Sequence, residues 1–117
     1  TFGGHPVSCA AALAEVNELL DKDLAGNAKK MGEYFLEQAR IKVPHLKEAR
    51  GQGCLLGLEF TDGLNAVDIK HKCLDKHLLT TAIGSSIIRL VPPLILQKEH
   101  VDKALDIIKE AVEELAK

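Results

Sequence analysis

The clearest pattern lies near the end of the chain. Val101, Ala104, Leu105, Ile108, Val112 and Leu115 recur at three- and four-residue spacing, with lysine and glutamate between them. Apolar positions at that spacing form one stripe of an α-helix, so a helix is predicted over 98–116. Leu24, Ala28, Met31, Phe35 and Ala39 repeat the pattern, placing a second helix around and after Gly26 that Pro44 ends. Ahead of it, Pro6 suits the first turn of a helix, where a missing N–H leaves no bond unmade. That helix carries Ala10, Leu13, Ala14, Val16 and Leu20 and runs to about Asp21. Its small residues permit close approach of another backbone, so it is expected to lie against something large.

Between these helices the period changes. Cys54, Leu56, Leu58 and Phe60 alternate with Leu55, Gly57 and Glu59, the signature of a strand with one apolar face. Thr61-Asp62-Gly63 has turn chemistry, and Asn65 can cap a helix bearing Val67, Cys73, Leu74, His77 and Leu78. Residues 80–91 form two short strands around Gly84-Ser85-Ser86, and Pro92-Pro93 blocks continuation of the second. The order of elements predicts an α+β fold, a small mixed or antiparallel sheet covered by helices.

Composition adds limits. With 117 residues, 46% of them hydrophobic, the chain can bury one domain core. A net charge of −2 with interspersed signs argues against a nucleic-acid or membrane partner. Three widely spaced cysteines, Cys9, Cys54 and Cys73, suggest neither a disulfide framework nor a zinc site. Each lies in an apolar stretch and is expected as a small buried hydrophobe in a reducing cytoplasm. The five histidines lack ligand spacing, so no metal site is expected and capping or surface roles are. Thr1 is not an initiator methionine, which gives the expectation of a segment cut from a longer polypeptide.

Three constellations could carry chemistry. Gly51-x-Gly53 lacks the third glycine of a dinucleotide fingerprint, because Leu56 stands in that slot, and a strand follows it instead of a helix. It is expected as a bend into the strand, with Gly57 admitting close backbone approach. Arg89 sits among Ile87, Ile88, Leu90 and Val91, and an unpaired buried guanidinium is too costly to tolerate. On pattern alone it is a structural ion pair, an edge arginine or a fork for a substrate carboxylate. Thr1-Phe2-Gly3-Gly4-His5-Pro6 is either an ordinary glycine turn entering a helix or a set of O–H and N–H donors for a phosphate.

Taken together these segments resemble a known family. Thr1-Phe2-Gly3-Gly4-His5-Pro6 with the small residues after it resembles the T-[FY]-G-G-N-P segment of class III pyridoxal-phosphate-dependent aminotransferases. Arg50-Gly51-Gln52-Gly53-Cys54-Leu55-Leu56-Gly57-Leu58-Glu59 is similar to the family's R-G-x-G-L-x-x-G-x-E. Ile88-Arg89-Leu90-Val91-Pro92-Pro93-Leu94 is similar to its [LI]-R-x-x-P-P-L, and the double proline leans toward the acetylornithine/ornithine group. His5 departs from the usual asparagine.

The resemblance implies the C-terminal portion of a dimeric fold-type I enzyme. Residues 1–22 would be a helix linking to the large cofactor-binding domain, and 23–117 the small C-terminal domain. It implies that Thr1 binds the phosphate of pyridoxal 5'-phosphate belonging to the neighbouring subunit, and that Arg89 binds the α-carboxylate of an amino-acid substrate. The reaction implied moves an amino group from N-acetylornithine or ornithine to 2-oxoglutarate in two half-reactions, as in arginine biosynthesis. The family's cofactor lysine has no match among these residues, so no catalytic residue is expected here and the chain alone is expected to be inactive. The alternatives are another class III enzyme, an aminomutase or a decarboxylase, or a free-standing α+β module that binds an amino acid through Arg89. Exposed apolar surface on the first helix would drive self-association.

Overall fold

In a computed structural model, which describes every residue except Asp62, eight elements follow one another. They are α1 (Pro6–Asp21), α2 (Leu24–Lys42), β1 (Leu46–Gln52), β2 (Leu55–Phe60), α3 (Ala66–Asp75), β3 (Thr81–Ile83), β4 (Ile87–Leu90) and α4 (Lys98–Leu115). The strands form one four-stranded sheet in the order β1-β2-β4-β3, antiparallel at every junction. Helices α2, α3 and α4 cover one face of it. The α+β expectation holds, with the antiparallel alternative realised.

Strand alternation decides what is buried. Ala49, Leu56, Leu58, Phe60, Ile88 and Leu90 point into the helical layer and are buried. They meet Phe35 and Met31 from α2, Ile69 and Cys73 from α3, and Val101, Leu105, Ile108 and Val112 from α4. The periodic stripes of α2 and α4 are therefore core faces. Polar contacts clamp the two helices at their margin: Tyr34 donates to Asp102 at 3.1 Å, and Lys42 reaches the same carboxylate at 2.9 Å.

Several local expectations need correcting. α2 begins at Leu24, because Asp23 is its N-cap and accepts from Gly26 N–H at 3.2 Å. α3 stops at Asp75: the N–H groups of His77 and Leu78 turn back to the carbonyls of Leu74 and Cys73, with His77 at φ +64°. That is a Schellman closure with histidine where glycine is usual. The buried face of α3 is Ala66, Ile69 and Cys73, whereas Val67 and Leu74 are exposed. The Asn65 cap is present, accepting from Val67 N–H at 2.8 Å. Cys9 is exposed, since α1 buries no residue at all. The turn expected at Thr61-Asp62-Gly63 includes Asp62, which lies outside the described residues.

Strand β1 was not expected. Its sequence, LKEARGQ, buries only Ala49, because it is an edge strand with its outer face in solvent. The Gly51-x-Gly53 segment is consequently the end and turn of a hairpin, with Gln52 opposite Leu55. Close backbone approach occurs not at Gly57, where a Cβ would meet Arg50 O no nearer than 3.8 Å, but at Gly32. A Cβ on Gly32 would stand 2.1 Å from the Gly53 carbonyl oxygen. Gly32→Ala should therefore destabilise the fold by about 1–3 kcal/mol through overpacking, overriding the roughly 1 kcal/mol that alanine gains as a helix former. Urea unfolding of the variant checks the sign.

Candidate functional site: a lone guanidinium on the open sheet face

The face of the sheet turned away from the helices carries the chemistry. In β4, Ile88 and Leu90 face the core, so Ile87 and Arg89 face outward. The register aligns Arg50, Gly57, Arg89 and Thr81 across the four strands in one row. The neighbouring row is Glu48, Glu59, Ile87 and Ile83. Of these, Arg50, Gly57, Arg89, Ile87 and Ile83, together with Leu55, which is 59% exposed, line a shallow trough with an apolar floor. Glycine at 57 leaves the middle of that floor free of side chain.

The two arginines on this face are in different electrical states. Arg50 donates to Glu48 at 2.6 Å and to Glu59 at 2.7 Å. Its hydrogen bond to Glu59 raises the guanidinium pKa further, against some loss of hydration and with the help of both acidic charges. Glu59 also accepts from Lys47 at 2.7 Å. Hydrogen bonds from Lys47 and then Arg50 hold its carboxyl below the usual glutamate range. Lys47, Glu48, Arg50 and Glu59 thus form one charge cluster. Arg89 differs. Among the described residues it has neither an ion-pair nor a hydrogen-bond partner. The chain's third arginine, Arg40, is engaged too, donating to the Ala49 carbonyl at 2.7 Å. Among the described residues no internal ion pair is formed by Arg89, and β4 lies between β2 and β3 rather than at an edge of the sheet.

The connector after β4 is held in place. Asn27 donates to the carbonyls of Leu94 and Leu96 at 2.7 and 3.0 Å, fixing the stretch that follows Pro92-Pro93. At its far end the Gln97 N–H donates to His100 Nδ1 at 3.2 Å across the first turn of α4, so one histidine has the capping role expected.

Thr1 lies apart from this trough. It is exposed, ahead of a turn in which His5 N–H reaches the Phe2 carbonyl at 3.4 Å and Gly4 has φ +81°. His5 makes no side-chain cap, and nothing approaches the positions a Cβ would take on Gly3 or Gly4. The turn is open on all sides within this chain. No residue of 1–22 lines the trough at Arg89, so the chain by itself does not bring Thr1 and Arg89 together. Nor does a lysine line that trough.

A sequence profile for aminotransferase class-III matches residues 1–112. The chain belongs to the class-III aminotransferase family. Among its relatives, the acetylornithine aminotransferase of Caldanaerobacter subterraneus is 38% identical over 118 residues, covering 98% of this chain and 30% of that protein. Ornithine aminotransferase 2 of Staphylococcus aureus is 38% identical over 110 residues, covering 93% of this chain and 27% of that protein. The fold agrees: an ornithine aminotransferase from Toxoplasma gondii superposes with a TM-score of 0.85 at 32% identity, over 100% of this chain and 30% of that one. That enzyme was crystallised with partial occupancy of PLP at its active site. This class-III chain therefore spans about 30% of the length of the acetylornithine relative it matches. Among its described residues no three His, Cys, Asp or Glu side chains are placed to hold a metal ion, and no helix is long and apolar enough to cross a membrane.

Proposed function

We propose that this chain is the carboxyl-terminal part of a pyridoxal-phosphate-dependent aminotransferase acting on an amino acid of the ornithine or N-acetylornithine kind, with 2-oxoglutarate as amino acceptor. The observation that carries the reading is the unpartnered Arg89 guanidinium above an apolar, glycine-floored trough. A planar fork of N–H donors in a partly apolar setting is matched by a carboxylate or a phosphate, and of the two an amino-acid substrate carries the carboxylate. Family membership supplies the rest of the context.

The donor sets suit such a cofactor and substrate at their anionic ends. The Thr1 hydroxyl and the N–H groups of an open glycine turn are donors for a phosphate. Arg89 is a donor for a carboxylate. Neither is a base at neutral pH, so the work of these residues is to bind, orient and neutralise. The cofactor, when bound, supplies the electron sink for moving an amino group. Arg89 fixes one end of the substrate, and the aliphatic side chains of Ile87 and Leu55 keep water from one flank of it. Residues 1–22 serve as the link to a larger cofactor-binding body, with 23–117 as the small domain. The cofactor bound at Thr1 is that of a second subunit in a cytoplasmic homodimer.

The test separates this reading from a free-standing amino-acid-binding module. The 117-residue chain, supplied with pyridoxal phosphate, N-acetylornithine and 2-oxoglutarate, should give no glutamate, because it contributes anion contacts and no cofactor lysine. A longer polypeptide that contains it should turn over both substrates. Turnover by the short chain would overturn the division of labour. Tight binding of ornithine by the short chain alone would favour the module.

A further inference from the structure

Arg89 has an acidic neighbour that does not use it. Gly57 stands opposite Arg89 and Glu59 opposite Ile87, so Glu59 and Arg89 are diagonal neighbours on the outer face. Diagonal positions across two strands lie roughly 7–8 Å apart, within reach of long side chains. Between them Gly57 has no side chain, and the group beside the gap is Ile87, whose Cγ2 lies 3.9 Å from where a Gly57 Cβ would stand. The Glu59 carboxylate is nevertheless turned the other way: one oxygen takes Lys47 Nζ and the other takes Arg50 Nη1, each at 2.7 Å, and both cations come from β1. Its side chain is only 17% exposed, so it is packed into that arrangement.

We propose that Arg50 is a positioning residue that holds Glu59 against β1, so that the Arg89 guanidinium stays available to a substrate carboxylate. The inference rests on the reading of Arg89 given above. Arg50 is suited to the task because its guanidinium engages Glu48 and Glu59 together, at 2.6 and 2.7 Å. Lys47, whose side chain is 64% exposed, is the weaker of the two restraints. Once Arg50 is gone, Glu59 keeps one cation partner and has a second within reach in Arg89. An Arg89–Glu59 pair would then compete with every incoming carboxylate. Arg50 lines the same trough, but its guanidinium is taken by Glu48 and Glu59, and the role given to it here is exercised through Glu59.

The experiment uses the full-length holoenzyme containing this segment and glutarate, a dicarboxylate that carries no amino or keto group to react. In calorimetric titration, Arg50→Met should weaken glutarate binding about fivefold, the size of one partly exposed ion pair. In steady-state assays it should raise KM for 2-oxoglutarate by the same factor and leave kcat unchanged. Arg50→Met/Glu59→Gln should return glutarate affinity to the wild-type value. Glu59→Gln alone should leave affinity undiminished, because the competitor is removed together with its restraint. Unchanged affinity in Arg50→Met, failure of the double variant to recover, or weakened binding in Glu59→Gln would each overturn the proposal. Arg89→Met run in parallel keeps the two readings apart. If it leaves glutarate binding intact, the role given to Arg89 fails. If it abolishes binding while Arg50→Met does nothing, only the role of Arg50 fails.

Discussion

Replacing Arg89 by methionine is expected to raise the KM of the full enzyme for its amino-acid substrate by about a hundredfold while leaving the fold intact. Hydrogen bonds to a charged partner are worth about 1.5–3 kcal/mol each, and losing a forked pair at a half-wet surface removes about 3 kcal/mol, hence two decades of affinity. Stability should move by less than about 0.5 kcal/mol, because an exposed side chain with no internal partner contributes little to folding. The two measurements together discriminate. A structural arginine would lose stability and keep substrate affinity, the reverse of the expected pattern. Arg89→Lys should fall between, since an ammonium keeps the charge but not the planar fork. Steady-state kinetics and urea unfolding on the same preparations decide it. A lysine variant indistinguishable from wild type would show that the fork is unused.

The second large effect is structural. Ile108→Ala should destabilise the fold by about 2–5 kcal/mol, the range for removing a buried aliphatic side chain and leaving a cavity. Ile108 is fully buried, on the stripe of α4 that packs against the sheet and its helical neighbours. Against a typical domain stability of about 5–15 kcal/mol, that loss takes the chain a large fraction of the way to unfolding. Val67→Ala is the comparison. Val67 is on α3 but 38% exposed, and its truncation should cost well under 1 kcal/mol. Denaturant midpoints at constant slope give both numbers. Equal effects would mean that the buried and exposed faces have been misassigned.

How far the sequence was legible follows from which forces act locally. Helix α4 and strand β2 could be read because each has a wide apolar face, and period alone then gives both type and orientation. The Asn65 cap was equally legible, being decided within three residues. Strand β1 was not, because an edge strand with a solvated outer face needs only one core residue, and Ala49 among charges does not make a period. The glycine turn before the β2 alternation was the available signal, since a strand entered through such a turn implies a hairpin partner. The register of α3 failed for a different reason. Its end is set by His77 taking a left-handed backbone, which residue type rarely announces. At the site, Arg89 stood out as an arginine among isoleucines, and that no acid pairs with it among the described residues is a tertiary fact. The Lys47–Glu48–Arg50–Glu59 cluster was invisible for the same reason as β1, because it exists only through cross-strand register.

Helix α1 has no buried side chain, and this bears on what holds it together. An isolated helix near the 12–15-residue length is only marginally stable in water, even when rich in alanine. At 16 residues, α1 gains little beyond its own backbone hydrogen bonds from this body. No side chain of α1 is buried against the sheet and its three covering helices, so the core does little to hold it. The turn that begins at Thr1 is thus only as firm as the helix behind it, whose Val7, Leu13, Val16 and Leu20 are all exposed.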